Sequence, residues 1–554
     1  MEGQRAYGQG RMGRKLKIVQ VEPRFSLHAS RADQWIPLKP GTEGLLALGI
    51  AAVIIRENLS NTDFISQFTS KFEDWLDERG EVATGFKRAV LSQVRLEDIA
   101  EMTQVPLKTI IQVAKEFASS KPALALADYN LCFQKDGLFS LQLIHCLNAL
   151  VGSFDIPGGI VRQRKAPLKE LPSIHLDETA RAGLSQPQIG NPEQPSLDSL
   201  LEGSPYEINC LLISPSSLAA NIPFYKNFRD FIKKIPFVIS FQSWEKENLD
   251  FVDLVLPDTT YFEKWQLWEI SPLSPKTAVG LGQPVVEPVA ASMPFEETIL
   301  KLAKKMGGPV AANFPWSSYK ELLWYQLSGL YEARQGAPFL SNDERERLRF
   351  LEEKGWWTSP YDSFDSFLND ILARGGWEDP VYHFNLRSSL YQNPAKRFFF
   401  PGLITKFNKL PSARPENREY PFQLLLYDLP FTANDNGAGL PFFQETLGFQ
   451  FELKWKIWVE INPDTADKLK IKDMDPVWVE SPHGKIKAWA KIFPGVASQV
   501  VAIPLGKEEM FPLIKGSARK NDPLILIGHE KDGDALFSSR SAWVKISKRI
   551  GEGK

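Results

Sequence analysis

The sequence predicts an α/β protein of two Rossmann-like parallel-sheet blocks followed by a β-barrel, and three observations predict it. Strand, turn and helix alternate from Lys15 to Val151, which is the pattern of a parallel sheet with crossover helices. A second strand–helix–strand unit with a third strand follows between about residues 205 and 310. From Tyr420 onward the character changes to short strands separated by turn residues.

In the first block, Lys15–Val21 reads as a short buried strand ending in Glu22-Pro23-Arg24. Pro40-Gly41-Thr42-Glu43 opens a helix whose apolar residues run to Ile55, with Thr42 as its N-cap. Helical spacing continues over Leu96–Ala118, a strand is expected at Ala123–Ala127, and Leu138–Val151 is again helical. Residues 166–204 are rich in Pro, Ser and charge and read as a surface linker. The second block has strands at Ile208–Ile213, Phe237–Phe241 and Val252–Pro257. Its helices are expected near Phe224–Lys234 and Phe295–Met306, the latter closed by Gly307-Gly308. Residues 311–418 lack clean periodicity and read as an irregular connector. The barrel over 419–554 takes strands Phe422–Tyr427, Ile457–Ile461, Val477–Glu480, Lys485–Phe493 and Val500–Ile503. His483-Gly484 forms a hairpin turn, and one helix is started by Asn462 and Pro463. The first α/β domain is thereby bounded at residues 1–165.

A chain of 554 residues is too long for one core and suits about three or four domains. Its formal net charge of −2 gives no electrostatic reason for a nucleic-acid partner. The three cysteines, Cys132, Cys146 and Cys210, are far apart and form no C-x-x-C pair. An iron–sulfur cluster or zinc site from this chain alone is therefore not expected. The longest apolar run, Gly44–Ile55, is about half of the roughly 20 residues a bilayer span needs, and no apolar signal region precedes the first strand. His145 and Cys146 are adjacent on a helix and point about 100° apart, so they read as core residues and not as a catalytic dyad.

Three stretches carry a family likeness: KLKIVQVEPRFSLHASRADQWIPLKPGTEGLLAL at 15–48, FVISFQSWEKENLDFVDLVLPDTTYFEKW at 237–265 continued by GQPVVEP at 282–288, and WVEINPDTADKLKIKDMDPVWVESPHGKIKAWAKIFPGVASQVVAIPLG at 458–506. Together and in this order they resemble the molybdopterin oxidoreductase (dimethyl sulfoxide reductase) superfamily. Within it, the likeness is to the branch of polysulfide- and thiosulfate-reductase large subunits and to quinone-linked relatives in alternative complex III and menaquinone reductase complexes. The resemblance implies a double-psi dinucleotide-binding barrel and a bis-molybdopterin guanine dinucleotide cofactor. It also implies an iron–sulfur subunit and a quinone-reactive membrane subunit as partners, through which the chain would sit peripherally on the cytoplasmic membrane. The family's cluster cysteines and metal ligand belong to a portion preceding the stretch that begins here. The expectation is therefore no metal ligand in this chain, with a companion chain supplying that half, a truncated gene product, or a subunit working without metal.

The guanine edge offers N–H donors that suit a carboxylate at a strand end, and pyrophosphate suits backbone N–H groups or a cation. Glu22 and Arg24 at the first strand's end, and Gly41, Thr42 and Glu43 at a helix start, meet those needs, and the resemblance puts the same positions beside one dinucleotide. The alternative is a solvated strand end and a structural cap. For the second block, the resemblance implies Asn at Ser216 and Asp at Gln242. The departure at Gln242 exchanges a charge-assisted pair for a neutral one at about 1–2 kcal/mol. Phe295 replaces a frequent Asp, whereas Lys264 matches and is either a phosphate ligand or a surface lysine. In the barrel the resemblance points to Tyr427, Asp428, the Thr432–Gly439 loop with Asn434, and Asn521, the loop asparagines and Asn521 each with a turn-forming alternative. His483 reads as a hairpin residue. Two functions compete: a redox-enzyme subunit, inactive as this chain alone, or a cofactor-free structural subunit of a quinone-linked complex.

Overall fold

In a computed structural model the described residues are 16–77, 79–128, 137–161, 164–184, 207–213, 232–243, 252–269, 277–289, 291–381, 397–401, 419–429, 456–505, 523–527 and 542–549, with Leu131, Gln134 and Asn521. The chain divides into two compact units. One is built mainly from Gly10–Ile160 and Asn385–Lys554, the other mainly from Val161–Pro215 and Arg229–Phe384.

The first unit opens with two short parallel strands, β1 (Val19–Val21) and β2 (Gln34–Ile36), registered Val19 to Gln34. Helix α1 (Glu43–Arg56) follows and is buried at every position from Glu43 to Ile55. A helix apolar all round must be surrounded. Here α2 (Phe86–Gln93), α3 (Leu96–Thr103), α4 (Leu107–Ser119) and α5 (Gly137–Val151) pack around it. The expected single helical stretch over 96–118 is two helices, because Pro106 cannot continue a helix and serves as the N-cap of α4.

The strand expected at Ala123–Ala127 is not part of any sheet. The Ala125 N–H donates to Asn148 Oδ1 and the Ala125 carbonyl accepts from Asn148 Nδ2, both at 2.8 Å. A fully buried asparagine on α5 thus does what a neighbouring strand would otherwise do.

The second unit holds a three-stranded parallel sheet, β3 (Cys210–Ile213), β4 (Phe237–Gln242) and β5 (Leu254–Pro257), in that order. It also holds β6 (Gln266–Glu269), β7 (Thr277–Gly282), helices α6 (Phe295–Met306) and α7 (Tyr319–Glu332), β8 (Ala337–Pro338), α8 (Asn342–Glu353), α9 (Phe364–Arg374) and β9 (Gly376–Asp379). The last strands form an antiparallel sheet ordered β8-β9-β7-β6. The described part of 311–418 is therefore regular, not an irregular layer. Its helices show clear caps, such as the capping box of Ser341 with Glu344. Likewise the start of the expected linker is packed: Ala166 is buried in the core around Trp377, and the Lys169 N–H donates to the Gln326 carbonyl on α7 at 2.8 Å. Most of the expected helix at Phe224–Lys234 lies outside the described residues.

The barrel belongs to the first unit. Its strands are β10 (Phe422–Asp428), β11 (Trp458–Ile461), β12 (Pro476–Glu480), β13 (Lys485–Ile492), β14 (Val500–Leu505) and β15 (Ala542–Lys548). They close in the order β10-β14-β11-β13-β12-β15. Helix α10 (Pro463–Leu469) starts as expected, with Asn462 Oδ1 accepting from the Asp464 N–H. The interior is filled from alternate positions, among them Leu424, Val459, Val477, Ile486, Val501 and Val544.

Replacing Asn148 by Ala removes both bonds to Ala125 and leaves that backbone unsatisfied. A loss of about 2–4 kcal/mol of unfolding free energy is expected, read as a lower denaturation midpoint.

Candidate functional site

The end of β1 runs onto the barrel. The Phe25 N–H donates to the Gly495 carbonyl at 2.8 Å, and a Cβ on Gly495 would lie 2.7 Å from the Phe25 Cβ, so only glycine permits the approach. Arg24 then reaches Glu460 on β11 with two parallel bonds, Nε to Oε2 at 2.5 Å and Nη2 to Oε1 at 2.7 Å. The Tyr427 hydroxyl donates to Glu460 Oε1 at 2.8 Å, and the Arg24 guanidinium lies 4.0 Å from the Tyr427 ring centre. Burial alone would lower the Arg24 pKa, but the Glu460 carboxylate more than offsets it and the net direction is up. Burial and the Glu460 charge raise the Tyr427 phenol, which stays a neutral donor.

Arg24 is therefore committed to Glu460, where the sequence suggested a nucleotide ligand. Glu22 is committed as well: its Oε1 accepts from the Ser26 N–H at 3.2 Å and from the Ser26 hydroxyl at 2.5 Å, closing the turn after β1.

The loop before α1 lodges on the same barrel. Gly41 takes φ of +81°, which turns the chain into the helix. Thr42 stands at the N-cap without capping: its hydroxyl donates back to the Lys39 carbonyl at 2.6 Å. Gln423 of β10 donates through Nε2 to the Pro40 carbonyl at 2.8 Å and leaves its Oε1 buried without a partner. Glu43, 9% exposed, hydrogen-bonds to Gln134 and to the Gly41 backbone, yet its Oε2 has no partner. Burial pushes its carboxyl up to about 7. Lys39, 6% exposed, places Nζ 5.5 Å from the Trp543 ring on β15, the residue registered opposite Gln423.

The carboxyl ends of β4 and β5 form a different environment in the second unit. Gln242 Nε2 donates to the Ser240 hydroxyl at 2.9 Å. Asp258, 5% exposed, accepts the Thr259 and Phe295 N–H groups on Oδ1, both at 2.9 Å. Lys264, which matched a phosphate ligand, lies 3.4 Å from Asp258 Oδ2 and 3.5 Å from Glu296 Oε2. Phe295 packs edge-on against Phe241 with ring centres 4.8 Å apart. The Thr259 hydroxyl is buried there without a partner.

Of the remaining candidates, Asp428 ends β10 opposite Leu505. Asn521 spends both ends of its amide on Lys487, accepting from its N–H at 2.6 Å and donating to its carbonyl at 2.8 Å. The His483 N–H donates to Ser481 Oγ within the hairpin turn. Ser216 and Asn434 lie outside the described residues. Among the described residues no cluster of His, Cys, Asp or Glu could hold a metal ion, and no helix is long and apolar enough to cross a membrane.

Residues 5–269 match the molybdopterin oxidoreductase family, and residues 449–530 match the molybdopterin dinucleotide binding domain. The chain belongs to the molybdopterin oxidoreductase family. Similar proteins include the molybdopterin-containing subunit of thiosulfate reductase from Salmonella typhimurium, 24% identical over 523 residues, covering 88% of this chain and 64% of that protein. The molybdopterin-containing subunit of arsenate respiratory reductase from a Shewanella species is 23% identical over 566 residues, covering 89% of this chain and 65% of that one. The chain thus spans under two thirds of these relatives' length. The solved acetylene hydratase from Pelobacter acetylenicus shares the fold, with a TM-score of 0.69 over 99% of this chain and 76% of that chain, at 20% identity.

The family's pterin cofactor is a phosphate-bearing anion with an N–H-rich edge. The 39–43 loop fits it, because two buried acceptor oxygens there, Glu43 Oε2 and Gln423 Oε1, lack partners. The crevice of the second unit offers it no free charge, because its lysine and its buried aspartate already pair with one another, although the Thr259 hydroxyl and Glu296 Oε2 are buried there without a hydrogen bond. Lys39, Gln423, Glu460 and Asp258 went unremarked in the sequence. Glu460 did carry a signal, being a charge inside the apolar strand WVEI.

Glu460→Ala leaves Arg24 buried and uncompensated and should cost about 3–5 kcal/mol in denaturant unfolding. Arg24→Met with Glu460→Leu should recover much of that, and Tyr427→Phe should cost about 1 kcal/mol. Glu43 gives a pH signature. Below the ordinary carboxylate pKa both states are protonated. From there up to about 7 the unfolded chain ionises while the folded one keeps its proton, so this contribution to stability is lost as pH rises. Glu43→Gln should flatten that fall, measured as the change in denaturation midpoint between about pH 5 and about pH 8.

Proposed function

We propose that this chain is the pterin-holding part of an oxidoreductase subunit in a respiratory electron-transfer complex, and that it binds a molybdopterin guanine dinucleotide of the bis form. The two parallel-sheet blocks would be Rossmann-like and the barrel of the double-psi type. What carries the proposal is the loop 39–43 lodged on β10, with Glu43 Oε2 and Gln423 Oε1 buried and lacking donors. The pterin's amino edge offers such donors. The family membership and the names of the relatives, both molybdopterin-containing reductase subunits, support the same reading.

When bound, the cofactor supplies the redox chemistry at its metal, and the protein supplies position and electrostatics. Arg24, Glu460 and Tyr427 hold the end of β1 against the barrel and so fix where the loop stands. Gly41 gives the loop its turn, and Glu43, held by Gln134, presents a carboxyl whose proton state is open near neutral pH. Asp428 and Asn434 are proposed at the pterin side of the barrel. Partners in this reading are an iron–sulfur subunit and a quinone-reactive membrane subunit through which the complex reaches the cytoplasmic membrane.

The self-satisfied crevice around Asp258 and Lys264 favours a second reading, a cofactor-free structural subunit of a quinone-linked complex. Purification of the native complex separates the two. Molybdenum or tungsten together with GMP released by acid hydrolysis is the expected result. A metal-free and GMP-free complex that still turns over quinone would establish the structural reading instead.

A further inference from the structure

We propose that the second unit carries a self-association surface, on which a second copy of this chain docks about a twofold axis; the proposal does not depend on the function proposed above. Its centre is an apolar patch drawn from two connections: Tyr261 and Phe262 between β5 and β6, and Val285, Val286 and Val289 between β7 and α6. All five side chains are more than half exposed, from 52% at Val286 to 92% at Val289. The two rings lie together, with centres 4.4 Å apart. The Val285 and Val286 N–H groups both donate to the Phe262 carbonyl, at 2.8 and 3.3 Å, so the valines run directly beside the rings.

Polar bonds hold this patch in shape while leaving its apolar side chains in water. Glu263 fastens the two connections to each other: its Oε2 accepts from the Thr260 N–H at 2.6 Å and its Oε1 from the Val289 N–H at 2.9 Å. Gln266 Nε2 donates to the Tyr261 carbonyl at 2.8 Å and ties the ring pair to β6. A surface fixed in this way loses little freedom on docking, so most of its burial is realised as affinity.

Area, charge and layout together select the occupant. A standard interface buries about 800 Å² on each partner, somewhat over half of it apolar. Two aromatic side chains and three valines at these exposures present on the order of 500 Å² of apolar surface, which alone meets that share. The centre carries no charge. Lys264 is turned to Asp258 and Glu296, and Glu263 is held by its two N–H donors, which leaves Glu287 at the rim. An anionic membrane gains nothing from such a surface, and one rim acid is a weak attraction for a basic protein. In a twofold contact the same patch must complement itself, residue i meeting residue j and j meeting i. Two rings on one connection beside valines on the other satisfy that condition, since the rings of one copy can lie on the valines of the next.

Sedimentation of the purified full chain tests the proposal. The wild type should sediment at twice the 62.6 kDa of one chain at concentrations of about 1–50 μM. Phe262→Glu should weaken the dimer by about a hundredfold or more, because the substitution enters the contact twice. Val289→Glu should also weaken it, and at 92% exposure that change leaves the fold alone, which the melting temperature checks. Phe350→Glu, on an equally exposed ring of α8 in the same unit, should leave the dimer intact. Added salt should tighten the association by screening the paired rim acids, whereas a basic partner would be released by it. A wild type that stays monomeric over that range, or a dimer that survives both Phe262→Glu and Val289→Glu, would overturn the proposal. So would a native complex holding one copy of the chain with this patch covered by a different polypeptide.

Discussion

The barrel and the first α/β block are held to one another by a guanidinium and a carboxylate 436 positions apart in the chain. Two charges taken out of water in this way are stable only when their geometry is good and their remaining valences are filled. Arg24 and Glu460 meet both conditions. The fork is bidentate, Tyr427 donates to one carboxylate oxygen, and its ring faces the cation. The glycine at 495 lets the backbone close in beside them. Once β1 ends in that clamp, the chain that returns through β2 has little freedom, and loop 39–43 is delivered to β10 and β15.

Contrast between the two units follows from where charge is already satisfied. At the ends of β4 and β5, Asp258 caps the start of α6 through the Phe295 N–H and takes Lys264 as its cation, so these charges are used in holding the fold together, while the Thr259 hydroxyl is left without a partner. At loop 39–43, Glu43 Oε2 and Gln423 Oε1 are buried and remain without a hydrogen-bond partner. A native protein tolerates such atoms where a ligand completes them or where function needs the strain.

Much of the fold was legible because local chemistry and long-range packing agree. The apolar run after Thr42 is a helix because α1 is enclosed on all sides. Asn462-Pro463 starts a helix, Gly307 ends one, and the alternation in Lys485–Ile492 is a strand. Failures arose where a side chain replaced backbone pairing, as Asn148 does for Ala125, or where a core is built from a helix without clean periodicity, as in α7. The site was read less well. Glu22 and Arg24 were found as a charged strand end, but pattern alone does not reveal that Ser26 and Glu460 would claim them. Gln423 has meaning only through the partner its buried Oε1 lacks, which is a property of three dimensions.

The central claim is that loop 39–43 and strand β10 together seat the nucleotide end of a cofactor. Amide hydrogen exchange, compared between cofactor-loaded and cofactor-stripped protein, tests it most directly. Added protection confined to residues 39–46 and 422–428, with the α6 start unchanged, is the predicted outcome; exchange that is identical in both forms over those two segments would contradict the account.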